Sequence, residues 1–352
     1  MRPFLKPAAL LMFILFAGVG CISFSGGQKE ADGGIWKSGN QGEEWQMKKV
    51  WPTAKGIQSI GGMNITSITL DSQDHLAVYA GTTDNGLMYS YDGGESWQQA
   101  RSPLASGRVT SVSVDAKNKC TIYVTMGPRV WKTTDCNRTY TAVYFETRTD
   151  VIMTQVEVDW FNSSVVYAAT SSGDVLKSTD SGANWASVQR FENRVVKIFV
   201  DQFDSRTVYV GLKDNGIWKT TDGGATWVAM NDGLREYDRG RGLVTIAGDA
   251  VTRNTLLIAT RYGILRTTDG GVTWQPLNLP TPPNSVTIFS LAVSPRNVNE
   301  IYYGTASTFY RSLNGGANWS TNKLPTTRAA TAMLVDPQDP KVVYLGATLI
   351  KK

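Results

Sequence analysis

Histidine is almost absent from this sequence of 352 residues, and lysine and arginine form no cluster. The single histidine is His75, so a Ser-His-Asp or Cys-His site would need that one residue. No group of His and Cys has the spacing of zinc ligands, and we expect neither a metal nor a cofactor. The formal net charge of +5 comes from scattered residues, which predicts no nucleic-acid partner. We interpret His75 as a solvated turn residue.

Long apolar runs are also missing, with one exception near the N-terminus. A basic start precedes apolar residues 8–19, and this run is too short to span a bilayer comfortably. The run ends in small residues before Cys21, which predicts a signal peptide over residues 1–20. Residues 21–33 are rich in Gly, Ser and charge, and we expect them to form a flexible tether.

Cys21 follows Gly20 directly and resembles the cysteine of a lipobox, whose thiol is acylated and which becomes the mature N-terminus. This arrangement predicts an exported, lipid-anchored protein of the cell envelope, in the periplasm, on the outer membrane or at the cell surface. Gly18 stands where lipoboxes usually carry Leu, so an ordinary signal-peptidase cut at the same bond stays open. A membrane anchor that is not removed is the third alternative.

One turn is repeated along the whole chain. The composition, with 34 Gly, 11 Trp and only 18% charged residues, suits short strands joined by tight turns. The pattern Ser/Thr-x-Asp-x-Gly-x-x-Trp recurs, with Asn for Asp in two copies and Asn and Tyr for Gly and Trp in a third. The seven copies span residues 38–45, 90–97, 133–140, 178–185, 220–227, 267–274 and 312–319.

The acidic residue of each copy has a structural interpretation. An Asp or Asn side chain accepts hydrogen bonds from the backbone amides of its own turn, and the Ser or Thr hydroxyl adds a weaker bond of the same kind. Gly supplies a positive φ, and the aromatic ring packs between neighbouring sheets. The carboxylates expected in this structural role are Asp92, Asp135, Asp180, Asp222 and Asp269.

A second signature precedes most copies and defines the repeating unit. It is an apolar strand, a turn with Asp, Pro or Asn, and a β-rich run such as residues 207–211. With the strands on either side of the box, each unit of about 45 residues holds four antiparallel strands, the size of a propeller blade.

The two ends of the chain predict how the ring closes. The first box has no strands before it, and the last unit, residues 328–349, has no box after it. We therefore predict an all-β fold, a seven-bladed β-propeller over residues 34–352. One blade is shared between residues 34–50 and the C-terminal strands, which leaves no open sheet edge. A six-bladed ring with a stray hairpin is the alternative.

These repeats resemble the BNR or Asp-box repeat superfamily, and they are similar to those of sortilin-type, xyloglucanase and photosystem II assembly-factor propellers. The resemblance covers roughly residues 34–352 and implies the fold, but the repeat serves enzymes and binding proteins alike. Sialidases of this superfamily carry an Arg-Ile-Pro signature that the sequence lacks. Xyloglucanases place two catalytic carboxylates in a cleft between two propellers, and this chain is long enough for only one propeller. Its size and export signal look closest to the assembly-factor group.

Cys120 and Cys136 fall in one unit, at positions that a four-stranded meander brings to the same side of the ring. A disulfide between them is compatible with an oxidising compartment. Two free thiols are the alternative, because the strand spacing could keep their Cα atoms too far apart.

Several arginines are predicted on the face opposite the boxes, where propeller ligands usually bind. If they converge at the central channel, they form a cationic funnel suited to an acidic peptide, a carboxylate or an anionic glycan. A ring of solvated arginines is the alternative. The candidate ligand-binding residues are Arg108, Arg129, Arg148, Arg194, Arg235, Tyr237, Arg239, Arg241, Arg261 and Arg328.

The predicted function is a monomeric, non-enzymatic binding or assembly propeller with a protein or peptide partner, held to a membrane by its lipid. No catalytic residue is assigned. The alternative is a carbohydrate-active enzyme or glycan binder, in which two carboxylates act as acid and base beside aromatic side chains. The residues available to that alternative are Trp51, Asp84, Asp150, Glu192, Asp214, Tyr237, Asp238 and Tyr262.

Overall fold

The structure is a computed structural model that describes residues 31–350. The predicted signal peptide and the lipidation site Cys21 lie outside the described residues. Within the described part, no helix has the length and apolar character needed to cross a membrane. A 3-10 turn at Asp232–Leu234 is the one helical segment in residues 31–350.

Thirty strands run through the described residues. They are β1 (Gly34–Ser38), β2 (Gln46–Lys48), β3 (Val50–Thr53), β4 (Gly56–Ser59), β5 (Ile65–Leu70), β6 (Val78–Thr82), β7 (Leu87–Ser90), β8 (Gln98–Gln99), β9 (Val109–Asp115), β10 (Asn118–Met126), β11 (Arg129–Thr133), β12 (Thr141–Phe145), β13 (Met153–Val158), β14 (Val166–Thr170), β15 (Asp174–Ser178), β16 (Ala186–Arg190), β17 (Val195–Val200), β18 (Val208–Leu212), β19 (Ile217–Thr220), β20 (Val228–Ala229), β21 (Leu243–Gly248), β22 (Leu256–Thr260), β23 (Ile264–Thr267), β24 (Gln275–Pro276), β25 (Ser290–Ser294), β26 (Asn297–Gly304), β27 (Thr308–Ser312), β28 (Ser320–Lys323), β29 (Ala329–Val335) and β30 (Val343–Thr348).

Six blades are four-stranded antiparallel sheets whose strands follow the chain order. We number them blades 1 to 6: β5–β8, β9–β12, β13–β16, β17–β20, β21–β24 and β25–β28. The first strands of successive blades contact one another in turn around the central axis. The prediction of a seven-bladed, all-β propeller with four-stranded blades is confirmed.

The seventh blade is shared by the two ends of the ring. Its strand order is β29-β30-β1-β2, and β1 pairs with β30 from Gly34 opposite Ala347 to Ser38 opposite Val343. Strand β29 contacts β5 of blade 1, so the ring is closed. The shared blade is therefore confirmed. A separate hairpin, β3–β4, follows this blade and was not predicted.

The box turns use their polar side chains on their own backbone. In blade 3, Ser178 Oγ donates to Asp180 Oδ1 over 2.7 Å and accepts from the Gly182 amide at 2.8 Å. Asp180 also accepts from the amide and side chain of Asn184. The Trp185 indole donates to the Val143 carbonyl of blade 2 at 2.9 Å, so the box also joins neighbouring blades.

A second joint links most blades through a buried tyrosine and a lysine. In blade 2, the Tyr123 hydroxyl and Lys132 Nζ both donate to the Ser181 carbonyl in the box of blade 3, over 2.9 and 2.8 Å. Lys132 Nζ also lies 5.3 Å from the centre of the Tyr123 ring, within range of a cation–π interaction. Equivalent Lys–Tyr pairs are Lys37 with Tyr344, Lys177 with Tyr167 and Lys219 with Tyr209.

Cys120 and Cys136 form a disulfide, with Cα atoms 4.1 Å apart. Cys136 has a φ of 56°, where the boxes of four other blades place Gly, and its amide contacts the Cys120 carbonyl at 3.4 Å. Every other blade makes the corresponding backbone hydrogen bond at 2.8 or 2.9 Å. The disulfide therefore reinforces the longest copy of a backbone hydrogen bond that recurs in every blade.

Candidate functional site

The face opposite the boxes, here called the top face, carries a depression of about 850 Å³. It lies where the innermost strands β13, β17, β21 and β25 begin, because its apolar floor includes Ile152, Val196, Val244 and Ile288. The first strand of each blade starts on this face, so the depression occupies one side of the channel mouth.

Five cationic side chains line this depression, and its lining contains no acidic residue. Four of them were candidates from the sequence: Arg108, Arg194, Arg239 and Arg261. The fifth is Lys213, in the β18–β19 hairpin. An apolar floor with a cationic wall suits a ligand that combines an anionic group with apolar surface.

The charges on one side of the depression lack acidic partners. Within residues 31–350, Arg108, Arg194 and Lys213 form no ion pair. The concave surroundings, and then the charge of Arg108, lower the pKa of the Arg194 guanidinium from its ordinary value. Two neighbouring cations that repel each other in this way would be stabilised by a bound anion.

The opposite side is built by the long loop that connects blades 4 and 5. Leu234 anchors the loop in the core, and the Tyr237 hydroxyl donates to the Trp274 carbonyl at 2.9 Å. Arg239 then adopts a φ of 60°, a left-handed conformation that is uncommon for residues other than glycine. Such outliers often occur at functional sites, where the surrounding structure holds them in place.

A smaller depression of about 440 Å³ adjoins the first and shares Arg239 and Arg261 with it. The candidates Arg235, Tyr237 and Arg241 lie there. Three of its cations have acidic partners, because Arg261 contacts Asp214 at 2.8 Å, Arg235 contacts Asp232 at 3.7 Å and Arg239 contacts Asp238 at 4.0 Å. Within residues 31–350, the larger depression holds three cations that form no ion pair, and the smaller one holds only Arg241.

Three arginines expected on the ligand face do not line it, which corrects the sequence interpretation. Arg328 is mostly buried and donates to the Met63 carbonyl and to Asn64 Oδ1, so it fastens the shared blade to blade 1. Arg148 pairs with the buried acids Glu146 and Asp174. Arg129 of blade 2 lies over an aromatic ring, with its guanidinium carbon 4.5 Å from the ring centre.

Several of the side chains proposed for carbohydrate chemistry are engaged in other contacts. The Tyr237 and Tyr262 rings contact each other, with centres 5.0 Å apart and planes tilted by 54°, and both pack against the core of blade 5. Trp51 packs against the core of the shared blade and blade 1. Of the carboxylates, Asp214 and Asp238 both face arginines. Asp150 and Glu192 are exposed and form no ion pair within residues 31–350, whereas the larger depression is lined by arginines and by no carboxylate.

His75 was expected to be solvated, and this interpretation is wrong. Its Nδ1 lies 2.8 Å from Oδ2 of Asp336, which is buried in the shared blade, and only 30% of the His75 side chain is exposed. The contact joins blade 1 to the shared blade. Among the described residues, no three His, Cys, Asp or Glu side chains are grouped as metal ligands would be.

Two features, one on the top face and one on the box face, were not predicted from the sequence. Lys213 occupies the β18–β19 hairpin just as Arg261 occupies β22–β23, so hairpin position alone could have identified it. The Lys of the interblade joint directly precedes the Ser or Thr of the box, as Lys132 precedes Thr133. That repeated cation is visible in the sequence, directly before the pattern Ser/Thr-x-Asp-x-Gly-x-x-Trp.

No protein-family model and no curated protein sequence matches the chain. Among solved structures, it is similar to a GH74 enzyme of Niastella koreensis, with 18% identity, a TM-score of 0.67 and coverage of 81% of this chain and 51% of that one. A GH74 xyloglucanase of Xanthomonas campestris gives 14% identity and a TM-score of 0.66, with the same coverage. The chain thus spans about half the length of these two enzymes.

A structure of YCF48 bound to D1 peptide is also similar, with 17% identity and a TM-score of 0.62. The match covers 82% of this chain and 94% of that one, so the two are of comparable length. At these identities the likeness concerns the fold, and it agrees with the blades, boxes and closure described above. The chain is therefore a seven-bladed β-propeller.

Proposed function

We propose that this protein is a binding propeller that recognises an anionic peptide segment in the larger top-face depression. The observation that carries the proposal is the cluster of Arg108, Arg194 and Lys213, which has no acidic partner in residues 31–350 and surrounds an apolar floor. An acidic side chain or a C-terminal carboxylate would neutralise the cluster, and apolar neighbours would cover the floor.

A peptide is favoured over a glycan by the contacts around the depression. Stacking on a sugar ring needs an exposed aromatic face, and the top-face tyrosines pack against the core of blade 5. The similarity to a YCF48 structure that holds a peptide supports the same choice. The GH74 neighbours keep a glycan as the second candidate, to be tested with xyloglucan oligosaccharides in the same assay.

Binding of labelled acidic peptides tests the proposal. The probe is a pool of fluorescent octapeptides of Leu, Ala, Asp and Glu with a free C-terminus, measured by fluorescence anisotropy. Replacement of one arginine that bonds a carboxylate costs about 1.5–3 kcal/mol, so we expect Arg194→Ala to weaken binding at least about tenfold. Arg206→Ala is the matched control, because Arg206 is exposed on the box face and pairs with Asp204.

Three outcomes would contradict the proposal. One is that the wild-type protein does not bind the peptides at low ionic strength, where screening of charge is weakest. Another is equal loss of binding in the two variants, which would indicate a general effect of net charge. Binding of an octapeptide pool in which Asn and Gln replace Asp and Glu with the same affinity would also exclude recognition of charge.

We further propose that the propeller is exported and tethered to a membrane through acylated Cys21, as the residues before it suggest. Replacement Cys21→Ala should abolish incorporation of labelled palmitate in cells that process lipoproteins. Because Cys21 precedes the described ring, the soluble fraction of the variant should keep the peptide affinity of the wild type. Labelling that persists in Cys21→Ala would contradict the lipidation proposal and would not affect the binding proposal.

A further inference from the structure

One position of the third strand carries a cation in six of the seven blades. In five of these blades the position lies opposite a second-strand tyrosine in the antiparallel register, as Lys132 lies opposite Tyr123, and in blade 5 Arg266 lies opposite Leu257. The six residues are Lys37, Lys132, Lys177, Lys219, Arg266 and Arg311. Several also lie within electrostatic reach of the acidic residue in the first turn of the same blade, as Lys132 does of Asp115.

Blade 1 departs from this rule. Tyr89 occupies the position of the cation, opposite Tyr79. Blade 1 keeps the first-turn acid, Asp71, which is 1% exposed. Asp71 Oδ1 accepts from the Gln73 amide at 2.8 Å, while Oδ2 has no hydrogen-bond partner in the described part of the chain. A buried carboxylate oxygen without a partner is costly, because it has lost its water without a replacement.

A cleft of about 470 Å³ opens at this place, between blades 1 and 2 on the box face. Asp71, Tyr79, Tyr89 and Tyr91 line it. The Tyr89 and Tyr91 rings are 5.3 Å apart and tilted by 55°. Tyrosine faces beside a carboxylate are the surroundings that proteins use to hold ammonium groups.

Other charges around the cleft are more exposed than Asp71. Lys119 pairs with Asp74 at 3.6 Å, and 57% of its side chain is exposed. Arg101 and Arg138 are exposed as well, so solvent screens their repulsion of a cation more than it screens Asp71. Burial raises the pKa of the Asp71 carboxyl, and the neighbouring Asp74 charge adds to the rise, which is consistent with an acid that lacks its counter-ion.

We propose that this cleft binds an organic ammonium ion, whose nitrogen takes the place that the other blades give to their own Lys or Arg. The site is independent of the top-face depression, since it lies on the opposite face of the ring. The ligand class is a small molecule with a primary or methylated ammonium group. Asp71 supplies the opposite charge, and the tyrosine rings supply cation–π contacts.

Calorimetric titration of the whole protein with three probes tests this inference. Tetramethylammonium and methylammonium chloride separate methylated from primary ammonium ligands, and tert-butanol is the uncharged match. We expect at least one ammonium probe to bind with a Kd on the order of millimolar, as for a small ligand with few contacts, and tert-butanol to bind at least about tenfold more weakly.

Two variants identify the site. Tyr89→Lys restores the residue type of four other blades and should fill the cleft with its own ammonium, so probe binding should fall at least tenfold while the melting temperature stays or rises. Asp71→Asn should also weaken binding. Asp204→Asn, at the position in blade 4 that corresponds to Asp74, is the control and should leave binding unchanged.

The inference is overturned if neither ammonium probe binds better than tert-butanol. It is also overturned if Tyr89→Lys folds with an unchanged melting temperature and binds the probes as the wild type does. A variant that fails to fold is replaced in the assay by Tyr89→Arg, which copies the residue type of blades 5 and 6.

Discussion

At the scale of single residues, most acidic groups of this chain are committed to structure. Hydrogen bonds from the Asn184 amide and side chain lower the pKa of Asp180 to about 2, so this box acid stays ionised and serves its turn. The same arrangement recurs in the boxes of Asp92, Asp135, Asp222 and Asp269. These carboxylates therefore offer no proton for acid catalysis near neutral pH.

Ionisation of Glu146 should have a measurable effect on the free energy of unfolding. Hydrogen bonds from Arg148 lower the pKa of Glu146 to about 2, below the ordinary value of 4.5. A carboxyl with a lowered pKa in the folded state stabilises the fold above its unfolded pKa, and this contribution is lost as pH falls toward the folded pKa. We expect Glu146→Gln to lower the urea midpoint at pH 7 and to flatten its decrease between about pH 4.5 and 2.

Glu192→Gln is the control for this pH dependence, because Glu192 is exposed and forms no ion pair in the described residues. Its urea midpoint should follow the wild type at every pH. If Glu146→Gln shows the same acid limb as the wild type, the Glu146–Arg148 pair does not contribute to stability.

At the scale of the blade, the disulfide of blade 2 replaces contacts that its neighbours make with ordinary residues. Blade 2 has the degenerate box, and the joint from blade 1 lacks its lysine. Cys120 and Cys136 are 16 residues apart, and a cross-link over a loop of that size stabilises a fold by about 3 kcal/mol. The double variant Cys120→Ser/Cys136→Ser should lose about that much free energy of unfolding in urea.

Reduction is the companion measurement for the disulfide. Dithiothreitol should lower the urea midpoint of the wild type to that of the double variant and leave the variant unchanged. Equal midpoints for the oxidised wild type and the double variant would show that the bond adds no stability.

Much of each blade could be predicted from sequence because its signals are local. The box turn, the Asn or Asp at its centre and the β-rich second strand all depend on neighbours within a few residues. The hairpin β3–β4 could not be foreseen, since its strands are short and mostly exposed. The partner of His75 was equally hidden, because Asp336 is 261 residues away in the chain.

At the scale of the whole molecule, closure of the ring depends on strands from both ends of the chain. Strand β30 pairs with β29 on one side and β1 on the other, so it is the link between the two ends. Deletion of residues 340–352 removes this strand and leaves two unpaired edges. We expect the truncated protein to lose its cooperative thermal transition or to aggregate.

Removal of residues 351–352 alone is the matched control, because β30 ends at Thr348. Its transition should coincide with that of the full chain. A cooperative transition at the wild-type temperature after deletion of residues 340–352 would contradict closure through the shared blade.

The topology of the whole ring made part of the candidate site predictable from the sequence. The topology places the starts of the first strands and the β18–β19 type of hairpin on one face, so Arg108, Arg194 and Arg261 could be assigned to it. Topology does not say where a long side chain ends. Arg328 therefore turned out to bond a neighbouring blade, and Arg148 a pair of buried acids.

The central claim, that the top-face depression binds an anionic peptide through charge, is tested most directly by charge reversal. Anisotropy titrations would compare the wild type with Arg194→Glu, each against the acidic octapeptide pool and a pool with Lys in place of Asp and Glu. We expect Arg194→Glu to lose affinity for the acidic pool by at least about a hundredfold, since an attraction becomes a repulsion, and to gain affinity for the basic pool. Unchanged binding of the acidic pool by Arg194→Glu would contradict recognition through charge.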